Sequence, residues 1–232
     1  MSSKSLKLYH RAGKVKTLQD ILYGEQGVNR VIQIGYAPRS KEAKEVDADA
    51  APNTGELSFG NVRPDGSVVY VENASVVYGP HCHDFAIRPG DILFRGRGSF
   101  PAAAYVTKDG LNDALRRSES IQQFIYTSAL LRIRLVDGTN DAPELDAEYL
   151  AAYINSPAAR RHFTKHSQGS AIMASVGKRD LMTLPVFLPP LEDQRRIAQL
   201  VRVQSEYNET TQALADKYNS IIQFYFLQLP TN

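Results

Sequence analysis

The sequence predicts an α+β protein: a globular domain on a twisted, mainly antiparallel sheet with a few short helices, followed by one long coiled-coil-forming helix. Three observations predict it. From Ser67 to Arg134, β-branched and aromatic runs alternate with Gly, Pro and Asp turn signals. A short apolar run, Leu184 to Leu188, meets Pro189-Pro190, which end a strand and pre-set the backbone for an exit, while Glu192 and Asp193 suit the first turn of a following helix. Beyond that junction, apolar residues recur with the alternating four-three spacing of a coiled-coil seam.

In chain order, Thr17-Leu18-Gln19-Asp20 has capping-box-like spacing before Ile21 and Leu22 and predicts a short helix. A strand is expected over Arg30 to Ile34. Residues Ser40 to Gly55 hold almost no large apolar side chain and predict an exposed loop rather than core. Strands follow over 68–71, 75–78, 91–95, 103–106, 124–126 and 130–135. Asp146 is placed to cap a helix bearing Tyr149, Leu150 and Ile154, and Ser156-Pro157 reads as a cap plus first-turn proline for Ala158 to His166. Ala171 to Val176 and Leu184 to Leu188 supply closing strands.

The last helix divides the chain into a domain over 1–190 and a rod over 191–232. The seam reads Leu200, Gln204, Tyr207, Thr211, Leu214, Tyr218, Ile221 and Tyr225. Gln204 and Thr211 interrupt it in the manner of polar core residues that specify register or partner. From Leu191 to Gln228 such a rod spans roughly 57 Å. The plainer reading is a terminal helix folded back over the sheet, which the extra apolar residues Ile222, Phe224, Phe226 and Leu227 would suit.

Composition bounds the rest. With 232 residues, 43% hydrophobic and 22% charged, the chain can bury one sizeable core. No run approaches the roughly 18 apolar residues of a membrane span, the N-terminus lacks a signal-peptide core, and the single Cys82 permits no intramolecular disulfide, so a cytoplasmic location is expected. The net charge of +2 is near neutral. The rod holds four basic and five acidic residues, while Arg160, Arg161, Lys165, Lys178 and Arg179 face only Asp180 between positions 157 and 180. That cluster could neutralise phosphates, although taken by itself a solvated helix face is the plainer explanation.

The segment LPVFLPPLEDQRRIAQLV (184–201) resembles the end of a target recognition domain in DNA-specificity subunits of type I restriction-modification enzymes. The resemblance continues through Gly90-Asp91-Ile92-Leu93-Phe94-Arg95, Asp146-Ala147-Glu148-Tyr149-Leu150, Ile154-Asn155-Ser156, Gln168-Gly169-Ser170 and Lys178-Arg179-Asp180-Leu181. It covers roughly the last 140 residues in order. It implies a non-catalytic subunit that binds double-stranded DNA, recruits DNA adenine methyltransferase subunits and a restriction-translocase subunit, and needs no cofactor. Family members usually carry two recognition domains and two long helices that pack as an antiparallel coiled coil. This chain has one of each, so the resemblance implies a half-subunit that forms a homodimer through its rod and reads two inverted half-sites.

Candidate DNA contacts are Arg95 and Arg97, on a glycine-flexible Arg95-Gly96-Arg97-Gly98-Ser99 segment, and Gln168 and Ser170 on a turn beside Lys165, Lys178 and Arg179. Solvated arginines on a hairpin and simple turn capping are the alternatives. Arg39, Lys41 and Lys44 lie in the exposed loop.

Signatures of catalysis do not emerge. His81-Cys82-His83 with Asp84 is the one metal-like cluster, and His162 and His166 sit four apart on a helix, but ordinary turn and surface histidines explain them better. There is no phosphate-binding Gly-rich loop, nucleophile elbow or amino-methyltransferase signature, and Pro64-Asp65 with Glu72 lacks the lysine of a nuclease site. No catalytic residue is assigned. The alternative to DNA recognition is a scaffold or regulatory protein whose rod binds partner helices and whose domain binds protein or RNA.

Overall fold

A computed structural model of the chain describes residues 13–23, 32–37, 53–74, 80–98, 101–135, 144–166 and 175–227. The expected strand over 75–78, most of the 40–55 loop with Arg39, Lys41 and Lys44, the Gln168-Gly169-Ser170 turn, and the side chains of His81 and His166 lie outside the described residues.

The centre of the domain is a four-stranded antiparallel sheet of β2 (Ile32–Ile34), β4 (Ile92–Arg95), β5 (Ala102–Tyr105) and β7 (Leu131–Ile133), in the order β2-β7-β4-β5. Successive side chains of a strand point to opposite faces, and here both faces are covered. Ile92 and Phe94 join one buried cluster with Leu18, Ile133, Tyr149, Leu150, Ile154, Phe163 and Val186. Leu93 joins the other with Leu57, Val62, Ala104, Leu111, Phe124, Tyr126 and Leu130.

Helices supply the first layer: α1 (Leu18–Tyr23), α3 (Ala147–Ile154), α4 (Pro157–His166) and α5 (Lys178–Met182). Their expected starts hold. Thr17 Oγ1 accepts the Asp20 N–H at 3.1 Å, Asp146 Oδ1 accepts the Tyr149 N–H at 2.9 Å, and Ser156 Oγ accepts the Ala159 N–H at 3.3 Å. The small Ala102-Ala103-Ala104 run lets α3 approach the sheet edge, where the Asn155 carboxamide accepts from Ala103 N at 2.9 Å and donates to Ala103 O at 2.7 Å. An edge strand is thereby covered rather than left to pair with another chain.

Among the described residues, the single sheet expected from the sequence is three. β1 (Lys14–Thr17) pairs antiparallel with β8 (Pro185–Leu188), and β3 (Thr54–Leu57) pairs parallel with β6 (Gln123–Tyr126). Thr54 and Gly55 are therefore buried strand, not exposed loop. Their polar composition hides a partner almost 70 residues away, which no local pattern carries. Residues 68–71 form no strand. Val68 makes an isolated bridge to Val62, and the Asn61 side chain donates to Val69 O at 2.7 Å, so this apolar run covers the second cluster as irregular chain. Its β-branched composition reflects a half-buried surface more than a ladder. Of the closing strand over 171–176, Ser175 bridges Arg97 and residues 171–174 are not described.

Two helices were not expected. α2 (Lys108–Arg117) is capped by Thr107, whose Oγ1 accepts the Gly110 N–H at 3.1 Å, and Gly110, Asn112 and Asp113 weaken its helical signal. α5 begins where the Gly177 N–H donates to Asp180 Oδ2 at 2.9 Å. The expected long helix is α6, Leu191–Leu227, of 37 residues. Among the described residues, no helix is long and apolar enough to cross a membrane.

Candidate nucleic-acid interface and pairing helix

The rod leaves the domain through a specific joint. Pro190 O accepts the N–H groups of Asp193 at 2.9 Å and Gln194 at 3.1 Å, closing the first turn after the double proline. Gln194 is fully buried. Its Nε2 donates to Pro189 O and Glu144 O, both at 2.9 Å, and its Oε1 accepts the Asp146 N–H at 2.9 Å. The same hydrogen-bonded patch holds Tyr149 Oη on Phe187 O at 2.7 Å and Tyr153 Oη on Pro185 O at 2.9 Å. Ala198 completes the apolar contact one turn later.

Charged pairs extend the joint. Arg195 lies 3.9 Å from Asp146, and Arg202 lies 3.6 Å from Glu148. Burial raises the Glu148 carboxyl above its ordinary range, and Arg202 pulls it partly back. Arg196 pairs within the helix with Glu192 and, at 3.5 Å, with Asp193.

Beyond this point the helix presents two different faces. Val201, Arg202, Ser205, Glu206, Asn208, Glu209, Gln212, Ala213 and Asp216 line two clefts, of about 290 and 650 Å³, between the rod and the domain segment Arg63–Tyr70. None of the seam residues lines either cleft. Leu200, Tyr207, Leu214, Tyr218, Ile221 and Tyr225 are exposed, Tyr207 to 70%. The helix is thus not folded back over the sheet, and its apolar stripe points away from its own domain. Within the stripe, Thr211 Oγ1 donates to Tyr207 O at 2.9 Å, which satisfies the hydroxyl inside the helix. Gln204 is exposed with the rest.

The candidate DNA contacts gather at another part of the domain. Val176 N donates to Gly96 O at 2.8 Å and Arg97 bridges Ser175, so 95–98 runs alongside 175–176, just before Lys178 and Arg179 on α5. Only glycine permits this approach at position 96, since a Cβ there would stand 1.9 Å from Val176 O. Gly98 continues the turn with φ +96°. α5 also packs on α4, which ends near the exposed Lys165. Arg97 and Arg179 are exposed.

Two candidates are less available than the sequence suggests. Arg95 lies over the Phe59 ring, 4.6 Å from its centre, with a buried and unpaired Nε, and burial lowers its pKa. Lys178 is half-buried and donates to Ile32 O at 3.1 Å. Gln168 and Ser170 have no described position.

Among the described residues, no group of three His, Cys, Asp or Glu is placed to hold a metal. His83 Nδ1 lies 2.9 Å from Gln123 Oε1, the buried Cys82 accepts from Gln123 Nε2 at 3.4 Å, and His162 Nε2 lies 3.2 Å from Thr183 Oγ1. The sequence missed Gln194 and the Glu148–Arg202 pair. A glutamine in the first turn of an exposed helix carries no signal of burial; the Glu148 and Arg202 charges were readable, but not their meeting.

No family model matches the sequence, and no curated protein matches it. Solved structures do. A structure of a type I restriction-modification system, concerned with its complex assembly and conformational transition, aligns over 92% of this chain and 44% of its own with a TM-score of 0.51 and 16% identity. The HsdS subunit from Thermoanaerobacter tengcongensis aligns over 93% of this chain and 47% of its own, with a TM-score of 0.51 and 17% identity. The type I restriction-modification S subunit from M. genitalium aligns over 94% and 45%, with a TM-score of 0.51 and 12% identity. The chain spans a little under half the length of the solved chains it matches. Over that half, from the central sheet through to the long helix, it has the fold of type I restriction-modification S subunits.

Proposed function

We propose that the chain is the non-catalytic, sequence-specific DNA-recognition subunit of a type I restriction-modification system, in a half-length form that pairs through its C-terminal helix. Residues 1–190 are the reader and 191–232 the pairing rod. The observation that carries this reading is the exposed seam from Leu200 to Tyr225, on a helix whose polar side faces its own domain, in a chain with the S-subunit fold. Apolar side chains in such a row call for a partner.

Two copies related by a two-fold axis would restore two recognition domains and read two inverted half-sites at a set separation. The exposed guanidiniums of Arg97 and Arg179, with Lys165, supply phosphate or base contacts. Arg95, stacked on Phe59, supports the loop that carries Arg97. DNA adenine methyltransferase subunits, and a restriction-translocase subunit, are the partners that such a reader delivers to its target.

The test is duplex binding by the purified chain, alone and together with an adenine methyltransferase subunit of a type I system. Tight binding to one bipartite sequence, weakening steeply with salt, supports the reading. Binding that ignores sequence, or no duplex binding at all, overturns it and favours a scaffold built on the same rod.

A further inference from the structure

We infer that two copies of this chain pair antiparallel in one particular register, with the two-fold axis passing between Gln212 and Ala213; this rests on the reading that the rod pairs with itself. In that register Leu200 lies level with the partner's Tyr225, Gln204 with the partner's Ile221, Tyr207 with the partner's Tyr218, and Thr211 with the partner's Leu214.

The argument comes from the flanks of the seam. Seam spacing places Leu200, Tyr207, Leu214 and Ile221 at d, and Gln204, Thr211, Tyr218 and Tyr225 at a. Position e then holds Val201, Asn208, Ala215 and Ile222, and position g holds Val203, Thr210, Lys217 and Phe224. These sixteen positions contain one charge, Lys217. The other charged residues of the stretch, Arg202, Glu206, Glu209 and Asp216, line the clefts against the chain's own domain. The face available to a partner is almost free of charge.

Flank residues decide the register. In a two-fold antiparallel pair, e meets e and g meets g. The exposed apolar flank residues stand only at the ends, Val201 and Val203 at one and Ile222 and Phe224 at the other; Val201, 40% exposed, also borders the cleft against the chain's own domain, so Val203 and Phe224 are the freer pair. End-for-end overlap puts Val201 beside the partner's Ile222, Val203 beside the partner's Phe224, and Lys217 beside the partner's Thr210. A slip of one heptad in one direction faces Lys217 with Val203. A slip in the other faces Lys217 with the partner's Lys217 and Phe224 with Thr210. Parallel pairing faces Val203 with Asn208 and Lys217 with Ile222, stacks Gln204 on Gln204, and brings both domains to the same end. The end-for-end register alone covers all four apolar flank residues. It sets the two Leu191 joints about 65 Å apart, at about 1.5 Å per residue.

Cysteine pairing tests this directly. Leu200 and Tyr225 are exposed, so their replacement does not disturb the core. L200C/Y225C should form a disulfide-linked dimer under mild oxidation, and V203C/F224C should do the same on the flank. L200C alone and Y225C alone should stay unlinked, because each lies about 38 Å from its own copy, far beyond the reach of roughly 7 Å between Cα atoms. L200C protein mixed with Y225C protein should link once. The native Cys82, 1% exposed, provides the unlinked background. Linking of L200C to itself shows a parallel pair, and linking of L200C to Y218C in place of Y225C shows a slipped one; either overturns the register while self-pairing stands. A monomer at micromolar concentration by mass overturns the register and the self-pairing beneath it.

Discussion

The side-chain carbonyl of Gln194 accepts the backbone N–H of Asp146 at 2.9 Å, joining the first turn of the rod to the residue that caps α3. Because Gln194 is wholly buried and also donates to Pro189 O and Glu144 O, one side chain ties three backbone segments together where the rod leaves the domain. Gln194→Ala should cost about 2–4 kcal/mol, since it orphans several buried polar groups at once. Gln194→Glu should cost at least as much, because it removes the donor and buries a charge. Urea unfolding midpoints of the two variants check this.

Among the described residues, the deepest ion pair is Asp91 with Arg134. Asp91 is fully buried, accepts from Arg134 Nε at 2.5 Å and Nη2 at 2.7 Å, and also accepts the Arg88 N–H at 2.8 Å. Asp91→Ala should destabilise by about 3–5 kcal/mol, because it strands a partly buried guanidinium. Thermal unfolding measures the loss, and a shift comparable to that of an exposed pair such as Arg116–Asp113 would show the Asp91 bond to be unimportant.

Glu148 gives the rod contact a pH dependence. Burial raises its folded pKa, so the folded state holds the proton more tightly than the unfolded chain does. The associated stability is present below the ordinary carboxylate pKa and is lost as pH climbs through the raised one. Stability profiles between about pH 4 and 7 should therefore fall more on the alkaline side in the native chain than in Glu148→Gln.

Arg97 and Arg95 should separate by readout. Arg97→Ala should weaken duplex binding by about 1–3 kcal/mol if it reads a base, or lower the salt slope by about one if it meets a phosphate, with little effect on stability. Arg95→Ala should instead cost about 0.5–2 kcal/mol of stability through loss of its stacking on Phe59. Filter binding across a salt series, with unfolding curves beside it, distinguishes the two.

Leu214 stands next to the inferred two-fold axis and is exposed in the single chain. Leu214→Glu should leave the fold intact and raise the dimer dissociation constant by about a hundredfold or more, a cost of roughly 3 kcal/mol for burying two like charges near each other. Sedimentation equilibrium measures it, and an unchanged dimer would place the pairing surface elsewhere.

Local chemistry was readable in advance. The caps at Thr17, Asp146 and Ser156, the exit at Pro189-Pro190, and the seam spacing each depend on residues within a turn or two of one another, so the chain itself determines those helices and the amphipathic rod. Tertiary structure decided the rest. That Thr54 pairs with Gln123, that Ile92 and Leu93 serve two different buried layers, that Arg95 stacks on Phe59, and that Gln194 is a buried joint are all relations between distant segments. A glutamine or a threonine has the same local preferences whether water or a distant carbonyl receives its hydrogen bond. Only packing the sheet against its helices chooses between them.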